Sequence, residues 1–199
     1  MSLSQPPAER RLLHRRAIDV QVFARNDGLF DVEASLQDTK PHDFPVAGGM
    51  RSASDPLHSM RLLLCIDAKA NVIEARSETH WMPYPGACDQ HGEAYGRLVG
   101  LNLLKGFRQG VKERLGGTRG CTHISELCQA LPTAVIQAFV GIVIDVRGDT
   151  PDGSPPFQID RCHALRRDGD PVKIHFPRWY RPTDAARAAQ AAEVPGIPS

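Results

Sequence analysis

Residues 18–25 read IDVQVFAR, which places Ile18, Val20, Val22 and Ala24 on one side of an extended strand. The stretch LFDVEASLQ (29–37) does the same with Phe30, Val32, Ala34 and Leu36, and Asn26-Asp27-Gly28 between the two is a strong turn signal. A period of two repeated across a turn commits this part of the chain to an antiparallel hairpin, because a slip of one residue would expose the whole apolar set. The pattern then returns. Met60, Leu62, Leu64 and Ile66 alternate in LHSMRLLLCID (57–67), Ala68-Lys69-Ala70-Asn71 turns the chain, and NVIEARSETHW (71–81) comes back as a fourth strand. Two successive hairpins predict a four-stranded antiparallel sheet with one solvated face.

Beyond MPYPGA (82–87) the period changes. Tyr95, Leu98, Val99, Asn102, Leu103, Phe107, Val111 and Leu115 recur every three or four residues, which predicts an amphipathic helix from about Asp89 to Gly116-Gly117. Thr122 is the expected N-cap of a second helix whose stripe is Ile124, Leu127, Cys128, Leu131, Val135 and Phe139, kinked or split at Pro132. Strands followed by helices give an α+β fold, about four antiparallel strands with two or more helices on one face. Residues 1–16 read as a flexible arm, 17–181 as a single domain with a docked extension at about 157–181, and 182–199 as a flexible tail. Loop 40–56 is rich in Pro and Gly, and AFVGIVIDV (138–146) suits a core helix end or a dimer face.

A net charge of +1 gives no global field for nucleic acid or a membrane surface. No apolar run approaches the length of a membrane span, and the basic start MSLSQPPAERRLLHRR has no apolar run behind it. The expectation is a cytoplasmic protein with reduced thiols, whose partner is an unidentified small molecule or protein. Five widely spaced cysteines, an odd number, do not suggest a disulfide framework.

GCTHISEL (120–127) puts Cys121 and His123 at a helix start, where free N–H groups favour a thiolate and an imidazole can serve as base or ligand. The plainer reading turns the chain at Gly120, packs Cys121 inward and leaves His123 in water. Cys88 lies at the entry to the preceding helix, His58 begins the third strand, and Cys162-His163 is a second sulfur–nitrogen pair. Cys/His sets of this kind suit zinc, although no CxxC spacing is present. Cys65 and Cys128 fall within apolar patterns and read as core. Three functions follow from these residues. One is a Cys/His metal or iron–sulfur site. A second is a metal-free binding module using loop 40–56 and Arg178-Trp179-Tyr180. The third is thiol catalysis by Cys121, with His123 or His163 as base.

The segments RNDGLFDVEASLQDTKPHDF, LHSMRLLLCID, RLGGTRGCTHISEL and DRCHALRRDGDPVKIHFPRWY resemble a bacterial family known as a domain of unknown function, number 2889, over roughly residues 15–181. More distantly, the sheet followed by Cys88, a helix and a Cys/His pair resembles the iron–sulfur cluster assembly scaffolds. That resemblance implies zinc or a cluster held near one end of the fold. Cys88 falls at the scaffolds' second cysteine, after about six extra residues, and Cys121 or His123 falls at their His-Cys pair. Pro56 stands where the first scaffold cysteine would be and His58 where their aspartate would be. The implied metal set is therefore His58, Cys88, Cys121 and His123, with Cys162 and His163 as later additions.

Overall fold

A computed structural model describes residues 8–148 and 152–184. They form two compact units that divide after Ala138. In the first unit, β1 (Arg15–Ala24), β2 (Phe30–Thr39), β5 (His58–Ile66) and β6 (Val72–Trp81) make one antiparallel sheet in the order β1-β2-β5-β6. β3 (Phe44–Val46) and β4 (Gly49–Arg51) make a separate small hairpin inside the loop expected at 40–56.

The register follows from the alternation. Ile18, Leu36 and Met60 are cross-strand neighbours on the inner face, as are Val22, Val32 and Leu64. The inner residues of β2 and β5 are almost fully buried, whereas Asp31, Glu33 and Arg61 stand on the outer face in contact with water. The first hairpin closes with Arg25 N–H donating to Leu29 O and Gly28 at φ +84°. In the second, the Asp67 carboxylate accepts from the N–H groups of Lys69 and Asn71. β1 begins at Arg15, so the end of the basic stretch expected in the arm is part of the sheet. The reason is that Arg16 finds a carboxylate partner across the sheet, on Asp38.

The first helix departs from expectation. Only α1 (Phe107–Leu115) is α-helical; Gly92–Leu98 is a 3-10 turn, and the chain between them runs along the β5–β6 turn. Val72 N–H donates to Leu101 O, and Gly100 and Leu103 donate back to Val72 and Ala70. Gly100 and Gly106 take φ of +82° and +68°, values that interrupt a right-handed helix. The apolar residues of the expected stripe are still buried at Tyr95, Leu98, Leu103, Phe107, Val111 and Leu115, because 3-10 and α spacing both return every three or four residues.

α2 (Thr122–Phe139) is continuous through Pro132. A proline removes one hydrogen bond, and the buried stripe Ile124, Leu127, Cys128, Leu131 and Val135 keeps the rest of the helix in register. The helix is capped one residue earlier than expected. Ser125 N–H donates to Cys121 O, so Cys121, not Thr122, occupies the N-cap. This is an α+β protein with helices on the inner face of an antiparallel sheet.

The second unit starts at Phe139. Residues 140–144 turn back at once, and Ile142 is 72% exposed, so this apolar stretch is a turn and not an extension of the helix. A 3-10 turn at His163–Leu165, α3 (Asp170–His175) and a 3-10 turn at Pro177–Trp179 follow. Trp179 packs on Gly148, where its ring leaves no room for a Cβ. The Arg178-Trp179-Tyr180 segment is thus partly used within its own unit. Most of the tail expected at 182–199, and the first seven residues of the arm, lie outside the described residues.

Candidate functional site

At one end of the sheet the inner face changes character. The apolar rows give way to a polar row in which Arg16, Asp38 and His58 are cross-strand neighbours on β1, β2 and β5. Asp38 is 1% exposed. Arg16 grips it with two parallel bonds, Nε to Oδ1 and Nη2 to Oδ2, both 2.8 Å. His14 Nε2 approaches Oδ1 at 3.0 Å and His58 Nδ1 approaches Oδ2 at 2.8 Å. Burial alone pushes the Asp38 carboxyl up, but Arg16 and His58 outweigh it and hold it down at about 2. An ionised carboxylate only accepts, so both histidines present N–H to it. His58 therefore donates from Nδ1, which leaves Nε2 as the ring nitrogen that can serve as a ligand.

The start of α2 stands against this row. The His123 and His58 ring centroids are 3.8 Å apart, with the rings tilted by 34°. Burial first, then the charges of His58 and Arg16, push His123 below its ordinary value, so it is a neutral imidazole at neutral pH. Arg16 also reaches Glu126, one turn into α2, tying helix to sheet. His123 Nδ1 lies 3.7 Å from Cys121 Sγ, which is itself 3.9 Å from Met60 Sδ.

Cys121 is fixed through its backbone. Its N–H donates to the Tyr95 hydroxyl at 3.0 Å, and that hydroxyl donates to Cys121 O at 2.9 Å. Burial pushes the Tyr95 phenol up to about 12, so it remains a hydroxyl able to do both. Gly120 is extended (φ −155°), and glycine is required there by space: a Cβ would lie 2.9 Å from Leu115 O and 3.2 Å from the Tyr95 oxygen. The plainer sequence reading, a turn at Gly120 with His123 in water, is thus replaced by a close backbone approach and a half-buried imidazole.

These side chains face a cavity of about 490 Å³. His58, Cys88, Cys121 and His123 all line it, so four of the six expected ligands share one space. Cys88 is set by a tight turn in which its N–H donates to Tyr84 O. Arg51 braces both approaches by donating to Pro56 O and Leu57 O before His58, and to Met82 O before the Cys88 loop. Cys162 and His163 belong to the second unit, where both are exposed. Cys65 and Cys128 are buried, as their patterns indicate.

Three participants were not named from sequence. Asp38 continues the parity of Phe30, Val32, Ala34 and Leu36, so a carboxylate on the apolar side of β2 was the available signal. Tyr95 looked like a core residue. His91 lines the cavity with both ring nitrogens buried and without a hydrogen-bond partner, a state that costs about 1–3 kcal/mol per unsatisfied group.

Asp38, His58 and His123 offer ligand atoms within 4.8 Å of one another. Asp38 is nevertheless a poor direct ligand, since its two oxygens already accept four bonds, two of them from a guanidinium. Its geometry is that of a carboxylate that orients a ligating histidine. Cys121 is outside that group but lies next to one member of it, His123. Zn–S of about 2.3 Å and Zn–N of about 2.0–2.1 Å around a tetrahedral ion put sulfur and nitrogen about 3.6 Å apart. The Cys121–His123 separation is close to that edge.

Fold and cavity thus define an α+β protein with a cluster of imidazoles and thiols where the sheet meets a helix start. The chain belongs to the family described as "Protein of unknown function (DUF2889)", whose model matches residues 14–137. That span contains the sheet, the cavity and nearly all of α2. No curated protein matches the chain, and no solved structure does. The likeness to iron–sulfur scaffolds has no support beyond the sequence.

Proposed function

We propose that this protein binds a transition metal, zinc by donor chemistry, through Cys121 Sγ, His123 and His58 Nε2, with Cys88 on the same wall to close the shell. The observation that carries the reading is the Cys121–His123 separation of 3.7 Å beside an imidazole whose tautomer Asp38 fixes. Neutral imidazoles and thiolates are the donors zinc prefers. Four protein ligands would make a structural or carrier site, and three would leave a position open toward the cavity. When bound, the ion would supply Lewis acidity at that position. The protein's own part is to hold the ligands: Tyr95 fixes the Cys121 backbone and Asp38 the His58 ring.

Elemental analysis of untagged protein purified anaerobically tests this. About one zinc or iron per chain is expected, lost in Cys121→Ala and in His123→Ala. Retention by Cys88→Ala would indicate an open fourth position. Metal-free protein that takes up no zinc from a buffered solution would refute the reading.

The same 3.7 Å contact at the N-cap of α2 supports a second reading, a nucleophilic thiol with His123 as base. The two part cleanly. A ligand thiol is protected from alkylation by zinc, whereas a nucleophile reacts in metal-free native protein and its loss leaves metal content unchanged.

A further inference from the structure

Among the described residues, none that lines the cavity is acidic. Its ionisable and polar members are the imidazoles of His58, His91 and His123, the thiols of Cys88 and Cys121, the hydroxyls of Thr118, Thr122 and Tyr84, and the guanidinium of Arg119. The first turn of α2, an 18-residue helix, adds N–H groups of partial positive charge. The nearby carboxylates do not offset this field. Asp38 and Glu126 are both engaged by Arg16. The remaining wall, formed by Met60, Pro83, Tyr84 and Ala87, is mostly apolar.

His91 points independently to a ligand. It lines the cavity, yet neither ring nitrogen has a partner within the protein. Buried polar atoms are ordinarily satisfied, and this half-buried ring in the cavity wall would gain a partner supplied from outside by turning toward the cavity.

We propose that the cavity binds a small organic carboxylate with an apolar body. Its carboxylate would be held by His91, by the start of α2 and by the Arg119 guanidinium, whose Nη2 also donates to Lys112 O and Glu113 O, and its body would lie against Met60, Pro83 and Tyr84. A neutral apolar molecule would leave Arg119 and the donors of His91 unanswered, and a bare inorganic anion would leave the apolar side wet. The volume of about 490 Å³ falls in the range of small-molecule sites, about 300–1,000 Å³. This inference goes beyond the metal reading, because the charge asymmetry belongs to the protein's own residues with or without an ion.

Calorimetric titration of the full chain with benzoate, and with benzamide as its neutral isostere, tests it in both chelated and zinc-loaded protein. Benzoate is expected to saturate in both forms and to bind at least about tenfold more tightly than benzamide. His91→Leu and Arg119→Ala are each expected to weaken benzoate about tenfold, the scale of one hydrogen bond to a charged group. Circular dichroism establishes that each variant is folded. Equal affinity for benzoate and benzamide, no saturation at millimolar benzoate, or indifference to His91→Leu in a folded variant would overturn the proposal. Binding only in zinc-loaded protein would also overturn it while leaving the metal reading intact. Benzoate binding by a protein that takes up no zinc at all would support it and refute the metal reading.

Discussion

Cys121 and Cys128 lie about two turns apart on the same stretch of chain, and their surroundings share little. Cys128 is fully buried in the apolar stripe of α2, and burial pushes its thiol up to about 12. Cys121 is half-buried at the N-cap, beside an imidazole, a thioether and a cavity. One helix thus carries a cysteine that packs as a small hydrophobe and another presented for chemistry. The difference arises from the sheet beneath. The middle of the inner face offers Val32, Leu62 and Leu64, and its end offers Arg16, Asp38 and His58.

The largest effect should come from the polar end. Asp38→Ala leaves Arg16 and His58 without their carboxylate, and about 3 kcal/mol of stability should be lost in urea denaturation. Asp38→Asn should cost less but also weaken zinc binding about 10- to 100-fold, because it removes the group that fixes the His58 tautomer. An Asp38→Asn variant with unchanged zinc affinity would break the proposed link between that row and the site.

Thiol reactivity sharpens the contrast directly. In metal-free native protein, iodoacetamide should label Cys121 at least about 100-fold faster than Cys128, since the latter is both occluded and protonated. Mass-spectrometric peptide mapping against time reads this. Similar rates for the two would mean that the N-cap is no special environment.

The pH profile gives the next effect. Asp38 has its folded value lowered to about 2, so its contribution is complete above the unfolded value near 4 and is lost as pH falls toward 2. About 2 kcal/mol should disappear across that window in the native chain and be absent from the profile of Asp38→Asn. Chemical denaturation between pH 2 and pH 6 measures it. The smallest effect is Tyr95→Phe, which removes the hydroxyl that bridges Cys121 N–H and O. It should cost about 1 kcal/mol and lower zinc affinity without moving the Cys128 labelling rate.

The alternation of Val22, Val32 and Leu64 made the sheet legible before any coordinates, because a period of two has few other uses. The α2 stripe was equally plain. The break between Leu98 and Phe107 was not, since a 3-10 turn and an α-helix share nearly the same apolar spacing and only the left-handed glycines at 100 and 106 separate them. At the site, Cys121 and His123 announced themselves by chemistry. Asp38 did not, because a carboxylate at a strand end reads as solvent-facing until the register sets it opposite Arg16 and His58. Its parity with Leu36 was the clue available. Tyr95 and His91 depend on contacts between segments far apart in sequence, which spacing along one chain does not reveal.

The account rests on an ion held jointly by the helix start and the sheet end. X-ray absorption at the zinc edge of protein loaded with one equivalent of zinc tests that most directly. The expected first shell mixes sulfur at about 2.3 Å with nitrogen at about 2.0–2.1 Å, and Cys121→Ala should lose a sulfur. A shell of nitrogen and oxygen alone, unchanged in Cys121→Ala, would contradict it.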